Sequence, residues 1–97
     1  MKLEDQTTWK KPFVITAMGN IIETVPQNGT DFDLDELNNI VSGYIEILRI
    51  DDVPGWIMVI NEEGKIHHLD TNLIASAIFK HDMIVGNVLM CPTEMVQ

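Results

Sequence analysis

The sequence predicts a single α+β domain in which two short helices pack on a mostly antiparallel sheet of about six strands, in the order β-β-α-β-β-β-α-β. Two observations support this prediction. Short runs rich in β-branched and aromatic residues are separated by tight turns that contain Gly and Asn, which is typical of hairpins. Two other segments repeat their apolar residues at the spacing of one helical face. The chain has 97 residues, of which 45% are hydrophobic, so it fits one globular domain over residues 1–97.

The first predicted elements form a hairpin. Residues 1–12 are mostly polar and predict a loose lead-in. Residues 13–17 and 21–25 are β-rich runs on either side of Met18-Gly19-Asn20, and Gly-Asn favours a hairpin turn because Gly accepts a positive φ. The polar residues 26–30 then predict a loop.

A capping signal predicts the first helix. Asp33 and Glu36 have the spacing of a capping box, in which each side chain accepts a hydrogen bond from the other residue's backbone N–H. Apolar residues then recur on one face, so we expect a helix from about Leu34 to Ser42. Gly43 is the expected left-handed residue that terminates it.

Three strands are predicted next. Residues 44–50 form a strand whose alternation is broken by Glu46, which shares a face with apolar residues. Residues 56–60 are apolar throughout, as in a strand covered on both faces. The turn-forming residues 61–64 predict a second hairpin, with residues 65–69 as the returning strand.

A helix and a strand complete the predicted fold. Asp70 or Thr71 is the expected cap of a helix that ends near Lys80. Residues 83–90 predict a final strand, in which Gly86 marks a bulge or a close approach of the backbone. An exposed strand edge can pair between chains, and residues 13–17 and 83–90 are candidates, so a homodimer is left open.

The charge of the chain is strongly negative and uneven. The formal net charge is −9, and residues 23–63 hold ten acids but one base, Arg49. The acids are Glu23, Asp31, Asp33, Asp35, Glu36, Glu46, Asp51, Asp52, Glu62 and Glu63. Such a surface repels phosphate backbones and anionic lipid, so we expect neither direct nucleic-acid binding nor membrane binding. The longest apolar run, residues 56–60, is far shorter than the roughly 18 residues of a membrane span.

These acids predict a protein partner. We expect a non-catalytic interaction protein whose acidic face binds a basic protein. The candidate partner-binding residues are Asp31, Asp33, Asp35, Glu36, Asp51, Asp52, Glu62, Glu63 and Trp9. For Trp9 the alternative is packing over the edge of the sheet, and for the acids it is solubility alone.

No catalytic or metal-binding pattern stands out, so we expect no cofactor and no enzyme activity. Asp31-x-Asp33-x-Asp35 begins like a calcium loop, but Glu36 replaces the Gly at the sixth position. Two alternatives stay open. One is a module for a small ligand or nucleotide, formed across a dimer interface. The other is a metal-dependent enzyme that uses His67, His68 or His81.

Several segments together resemble a small domain-of-unknown-function family of bacteriophages, plasmids and other mobile elements. These segments are Leu34-Asp35-Glu36-Leu37 through Val41-Ser42-Gly43-Tyr44-Ile45-Glu46, then Asn61-Glu62-Glu63-Gly64-Lys65, then His81-Asp82-x-Ile84-Val85-Gly86. Ser42 departs from the pattern, which has Gly at this position. The resemblance implies a mobile-element protein in the bacterial cytoplasm. A reducing cytoplasm also suits the single cysteine, Cys91, and an N-terminal region that lacks the apolar stretch of a signal peptide.

Overall fold

The computed structural model describes residues 9–96, so residues 1–8 of the predicted lead-in lie outside the described residues. The described chain forms five strands and two α-helices: β1 (Phe13–Ile15), β2 (Ile21–Glu23), α1 (Leu34–Val41), β3 (Ile45–Arg49), β4 (Trp56–Asn61), α2 (Leu73–Ile78) and β5 (Val88–Pro92). A short 3-10 helix, Thr93–Met95, follows β5. No helix in this part of the chain combines the length and hydropathy that a membrane crossing requires.

All five strands belong to one sheet in the order β2-β1-β5-β4-β3, and every neighbouring pair is antiparallel. The predicted α+β class with a mostly antiparallel sheet is therefore confirmed, with five strands instead of about six. The outer strands are β2 and β3. The prediction that residues 13–17 or 83–90 supply exposed edges was wrong, because β1 and β5 each have a neighbour on both sides.

Both faces of the sheet are covered, because successive side chains of a strand point to opposite faces. One face packs against α1 through a cluster of buried residues: Phe32, Leu37, Val41, Ile57, Val59, Leu89 and Cys91. The other face packs against α2 through a second cluster: Ile15, Ile50, Val53, Trp56, Met58, Ala75, Ile78, Ile84, Val88 and Met90. The strand β4 contributes to both clusters, as its uninterrupted apolar sequence predicts.

The predicted capping box of α1 is confirmed. Asp33 Oδ1 accepts from the Glu36 backbone N–H at 2.9 Å, and Glu36 Oε1 accepts from the Asp33 backbone N–H at 3.1 Å. The end of the helix differs from the prediction. The left-handed residue is Ser42, with φ of 64°, and Gly43 follows it. Position 43 favours glycine for a different reason: a Cβ on Gly43 would lie 2.7 Å from Asn61 Nδ2.

The predicted strand over residues 65–69 was wrong, which accounts for the missing sixth strand. Asn61 Oδ1 accepts from the Glu63 backbone N–H at 2.8 Å and bends the chain as soon as β4 ends. Consecutive turns then occupy residues 62–68, with a hydrogen bond from His67 N to Glu63 O at 3.0 Å.

The cap of α2 is Asn72 and not Asp70 or Thr71. Asn72 is 1% exposed, and its Oδ1 accepts from the Ala75 backbone N–H at 3.0 Å. Its Nδ2 donates to the carbonyls of Ile15 at 3.0 Å and Gly86 at 2.8 Å. One amide therefore joins α2, β1 and the approach to β5, a combination of contacts that the neighbouring Asp70 and Thr71 do not make.

The last strand begins later than predicted, because β5 covers Val88–Pro92 and residues 83–87 form a connection. Gly86 has φ of 79°, and a Cβ on it would lie 2.8 Å from Leu69 Cδ1. Of the two predicted roles of Gly86, the close backbone approach is the one observed. The chain after β5 is held in place, since the Phe32 backbone N–H donates to Met95 O at 2.8 Å.

A candidate binding groove beside the β3–β4 hairpin

The acids before and within α1 are engaged in local structure. Asp33 and Glu36 form the capping box, and Glu36 Oε2 also accepts from the Gln27 backbone N–H at 2.8 Å. Asp31 Oδ1 accepts from Asn28 Nδ2 at 2.8 Å. Asp35 is exposed in the first turn, where negative charge is favoured by the helix dipole. These four carboxylates therefore have a structural explanation at the start of α1.

Asp51 and Asp52 lie in the turn between β3 and β4, where both meet cationic or titratable side chains. Asp52 Oδ2 is 2.7 Å from Lys80 Nζ, and Asp51 pairs with His81 Nε2. These two contacts fasten the β3–β4 turn to the segment that follows α2.

Glu62 and Glu63 lie at the opposite end of the same hairpin. The six residues of β4 separate them from Asp51 and Asp52, a length of about 20 Å. Glu63 is 3.6 Å from His67 Nε2. The acids that the sequence proposed as partner-binding residues therefore lie in three places: the start of α1 and each of the two ends of the β3–β4 hairpin.

Trp9 packs against other aromatic rings. Its ring meets Phe13 edge to face at 5.3 Å between centroids and Trp56 at 5.5 Å. The side chain is half-buried in this contact, on the α2 face of the sheet. Trp9 therefore packs against the sheet, which is the alternative to partner binding that the sequence left open.

A groove of about 450 Å³ lies on the α2 face beside the β3–β4 hairpin, and we call it the β3–β4 groove. Its apolar lining comes from the hairpin and from the segment after α2: Leu48, Ile60, Ile66, Phe79, Met83, Ile84 and Val85. The charged and titratable residues that line it are Glu46, Glu62, Lys65, His81 and Asp82. Apolar surface combined with a few polar groups is the usual composition of a ligand site.

The register of the hairpin places Glu46 and Glu62 on one face. Glu46 lies opposite Ile60, and the Glu62 backbone N–H extends the ladder by donating to Tyr44 O at 2.8 Å. Glu46 and Glu62 are therefore diagonal neighbours, with about 7–8 Å between their positions. Within residues 9–96, neither carboxylate has an ion-pair partner.

The opposite wall of the groove is charge-balanced. Lys65 Nζ donates to Asp82 Oδ2 at 2.7 Å, and the Met83 backbone N–H donates to Asp82 Oδ1 at 2.7 Å. The hydrogen bond from Lys65, followed by the one from Met83, lowers the pKa of the Asp82 carboxyl. Because Asp82 is neutralised locally, the uncompensated charge of the groove comes from Glu46 and Glu62.

The histidines and the cysteine do not converge. His67 contacts Glu63, whereas His81 contacts Asp51 near the other end of the hairpin. Among the described residues, no group of three or more His, Cys, Asp or Glu side chains is arranged to hold a metal ion. Cys91 is buried on the α1 face, and burial raises the pKa of its thiol to about 12, so it is a poor nucleophile.

The motif glycines explain how the groove wall is packed. A Cβ on Gly64 would lie 2.8 Å from Val85 Cγ2, and a Cβ on Gly86 would lie equally close to Leu69 Cδ1. These contacts bring the segment after β4 against the segment before β5. Glu46, at the end of the first motif segment, therefore meets the second and third motif segments around one groove, whereas Leu34–Leu37 of the first segment lie in α1.

Residues 13–95 match the DUF3846 family, which is described as a domain of unknown function. The chain belongs to this family. The match extends from β1 to the 3-10 helix after β5, so it includes the whole sheet and every residue that lines the groove. No curated protein and no solved structure gives a significant match. The family description assigns no activity to this DUF3846 domain.

Among the described residues, Glu46 is the groove carboxylate without an ion-pair partner that the sequence-based list of partner-binding residues lacks. The sequence did contain a sign that Glu46 is unusual, because a carboxylate on the apolar face of a predicted strand breaks the alternation of polar and apolar residues. What the sequence did not reveal is the neighbour: Glu46 and Glu62 are brought together in this DUF3846 domain by the pairing of β3 with β4.

Proposed function

We propose that the protein is a non-catalytic interaction protein that binds a basic segment of a partner protein in the β3–β4 groove. The observation that carries this proposal is the pair of unpaired carboxylates, Glu46 and Glu62, beside an apolar surface. A Lys or Arg side chain suits both features. Its aliphatic stem packs on apolar groups such as Leu48 and Ile60, while its charged head meets the carboxylates.

The sign of the charge selects the class of partner. Glu46 and Glu62 repel phosphate groups, and the net charge of −9 opposes nucleic acid at longer range. A basic protein is attracted both by Glu46 and Glu62 and by the net charge. Nucleic-acid-binding proteins are a large class of proteins with basic surfaces.

The proposal is tested with a fluorescent peptide that alternates Lys and Leu, measured by fluorescence anisotropy. We expect the double variant Glu46→Gln/Glu62→Gln to bind the peptide at least about tenfold more weakly than the wild type. The matched control is Asp35→Asn/Glu94→Gln, which removes the same charge from exposed positions outside the groove. An equal loss in both variants would mean that net charge, and not the groove, attracts the peptide.

The salt dependence separates the two parts of the proposed contact. Raising the ionic strength weakens the attraction between exposed charges, so peptide affinity should fall with added NaCl. A second peptide with Ser in place of Leu should bind more weakly than the first at every salt concentration, because it lacks apolar contact with the groove. Equal binding of the two peptides would contradict a role for the apolar lining.

The volume of the groove favours a second candidate, the binding of a small molecule. Ligand pockets measure about 300–1,000 Å³, and the β3–β4 groove measures about 450 Å³. Its charge favours a small organic cation over an anionic nucleotide. A rise in Tm with spermidine that is lost in Glu46→Gln/Glu62→Gln, without peptide binding, would favour this candidate.

We further propose that the protein acts in the bacterial cytoplasm as a component of a phage or plasmid, as the motif resemblance implies. The buried, poorly reactive Cys91 is compatible with such a reducing setting. Affinity capture from a bacterial extract tests whether a basic host protein binds the β3–β4 groove in this setting. A basic host protein retained by the wild type and lost with Glu46→Gln/Glu62→Gln would support it, and retention by both proteins would contradict it.

A further inference from the structure

The outer strand β2 presents an apolar edge. Met18, Ile21, Ile22 and Val25 are all exposed large hydrophobic residues, and Ile21 and Ile22 are 59% and 54% exposed. Within residues 9–96, no strand pairs with the outer side of β2. Soluble proteins usually protect such edges with charged side chains.

The two edges of the sheet differ in this protection. The strand β3 carries Glu46 and Arg49, both exposed. The strand β2 carries Glu23 alone, whose carboxylate is 4.0 Å from Lys11 Nζ, so the charge at this edge is compensated. The β2 edge therefore combines apolar side chains with a locally neutral charge in a chain whose net charge is −9.

The backbone of β2 is arranged to accept a further antiparallel strand. Thr16 N donates to Asn20 O at 2.8 Å, and Thr24 N donates to Pro12 O at 3.0 Å. Because hydrogen-bonded and non-hydrogen-bonded pairs alternate, Ile22 directs its backbone groups toward β1. The N–H and C=O groups of Ile21 and Glu23 consequently point away from β1.

We propose that a second copy of this chain pairs with β2, antiparallel and about a two-fold axis at Ile22. Ile21 of each copy then exchanges both backbone hydrogen bonds with Glu23 of the other. The two Ile22 side chains meet on the axis as a non-hydrogen-bonded pair, with about 4.5 Å between Cα atoms. The surface is self-complementary, as a two-fold interface requires.

The distribution of charge favours a second copy at this edge. The sheet order places the β3–β4 hairpin, with its acids, at the edge farthest from β2. Four strand spacings of about 4.8 Å separate the two edges. Two copies joined through β2 therefore keep their acidic hairpins apart and leave both β3–β4 grooves open.

Sedimentation equilibrium tests this proposal. We expect the apparent mass to rise with concentration from 11.0 kDa toward twice that value. Added salt should strengthen the dimer, because it screens the repulsion between two chains of net charge −9. Peptide binding in the groove should weaken under the same change, so failures of the two proposals are distinguishable.

Two variants locate the interface. Ile22→Lys places like charges on the axis, and Glu23→Pro removes an outward N–H that β1 does not use; both should remain monomeric. Leu73→Lys is the control, since Leu73 is 76% exposed on α2, and it should dimerise like the wild type. Urea midpoints equal to that of the wild type, measured at a protein concentration at which the wild type is monomeric, show that the variants are folded. A wild type that stays monomeric up to roughly 1 mM, a larger oligomer, or a dimer that survives both variants would overturn the proposal.

Discussion

Asn61 Nδ2 lies 2.7 Å from the position that a Cβ atom would occupy on Gly43. The same nitrogen donates to the carbonyls of Val41 at 3.0 Å and Ser42 at 3.3 Å. A side chain at the end of β4 thus closes the C-terminus of α1, and only a residue without a Cβ fits between them. This contact fixes where α1 ends relative to the β3–β4 hairpin.

Gly43→Ala should therefore lower the free energy of unfolding by about 1–3 kcal/mol, because the added methyl group displaces Asn61 from its carbonyl partners. Urea denaturation measures the effect. In an Asn61→Ala background the same substitution should have a smaller effect, since the clash is absent. Strictly additive effects in this double-mutant cycle would contradict the contact.

Asn72→Ala should lower the free energy of unfolding by about 2–4 kcal/mol, because it removes the α2 cap and leaves the carbonyls of Ile15 and Gly86 without their donor. Asn28→Ala is the control: Asn28 also accepts backbone hydrogen bonds, but it is exposed. The control should change stability by less than about 1 kcal/mol. Similar urea midpoints for the two variants would show that burial of Asn72 contributes nothing.

Ser42→Gly should raise the free energy of unfolding by about 0.5–1 kcal/mol. Ser42 has φ of 64°, which is unfavourable for a residue with a Cβ and favourable for glycine. Ser42→Ala tests the mechanism, because alanine keeps the Cβ and should give no gain. A stabilisation of equal size in both variants would instead implicate the hydroxyl group.

Acid should weaken the contact between Lys65 and Asp82. The folded-state pKa of Asp82 is below its ordinary value of 3.8, so its contribution to stability is present above about pH 4 and is lost as the pH falls through the folded-state pKa. Asp82→Asn keeps the acceptor for Met83 and removes the titration. The urea midpoints of wild type and variant should differ at pH 7 and converge as the pH falls through the folded-state pKa of Asp82. A difference that is constant across this range would contradict the assignment.

The parts of the fold that were predictable depend on residues close in sequence. The spacing of Asp33 and Glu36 is sufficient for the start of α1, and the apolar run of β4 indicates burial on both faces. Asn72 was not predictable as the α2 cap, because its neighbours Asp70 and Thr71 are equally good capping residues. The choice rests on contacts with Ile15 and Gly86, which only the assembled sheet provides.

The candidate site, too, has features that were predictable from the sequence and features that were not. The concentration of acids was evident from composition, but their grouping depends on the tertiary structure. The Asx-type hydrogen bond of Asn61 replaces the predicted strand 65–69 by turns. The segment around Lys65 consequently forms a wall of the groove, opposite the hairpin that carries Glu46 and Glu62. Neither the turn nor this wall follows from periodicity.

The most direct test of the proposed function is chemical-shift mapping on ¹⁵N-labelled protein titrated with the alternating Lys–Leu peptide. We expect the largest shifts on the backbone amides of Glu46, Leu48, Ile60 and Glu62, with saturation at one site. Shifts concentrated at the start of α1, around Asp33 and Glu36, or an absence of saturable shifts would contradict binding in the β3–β4 groove.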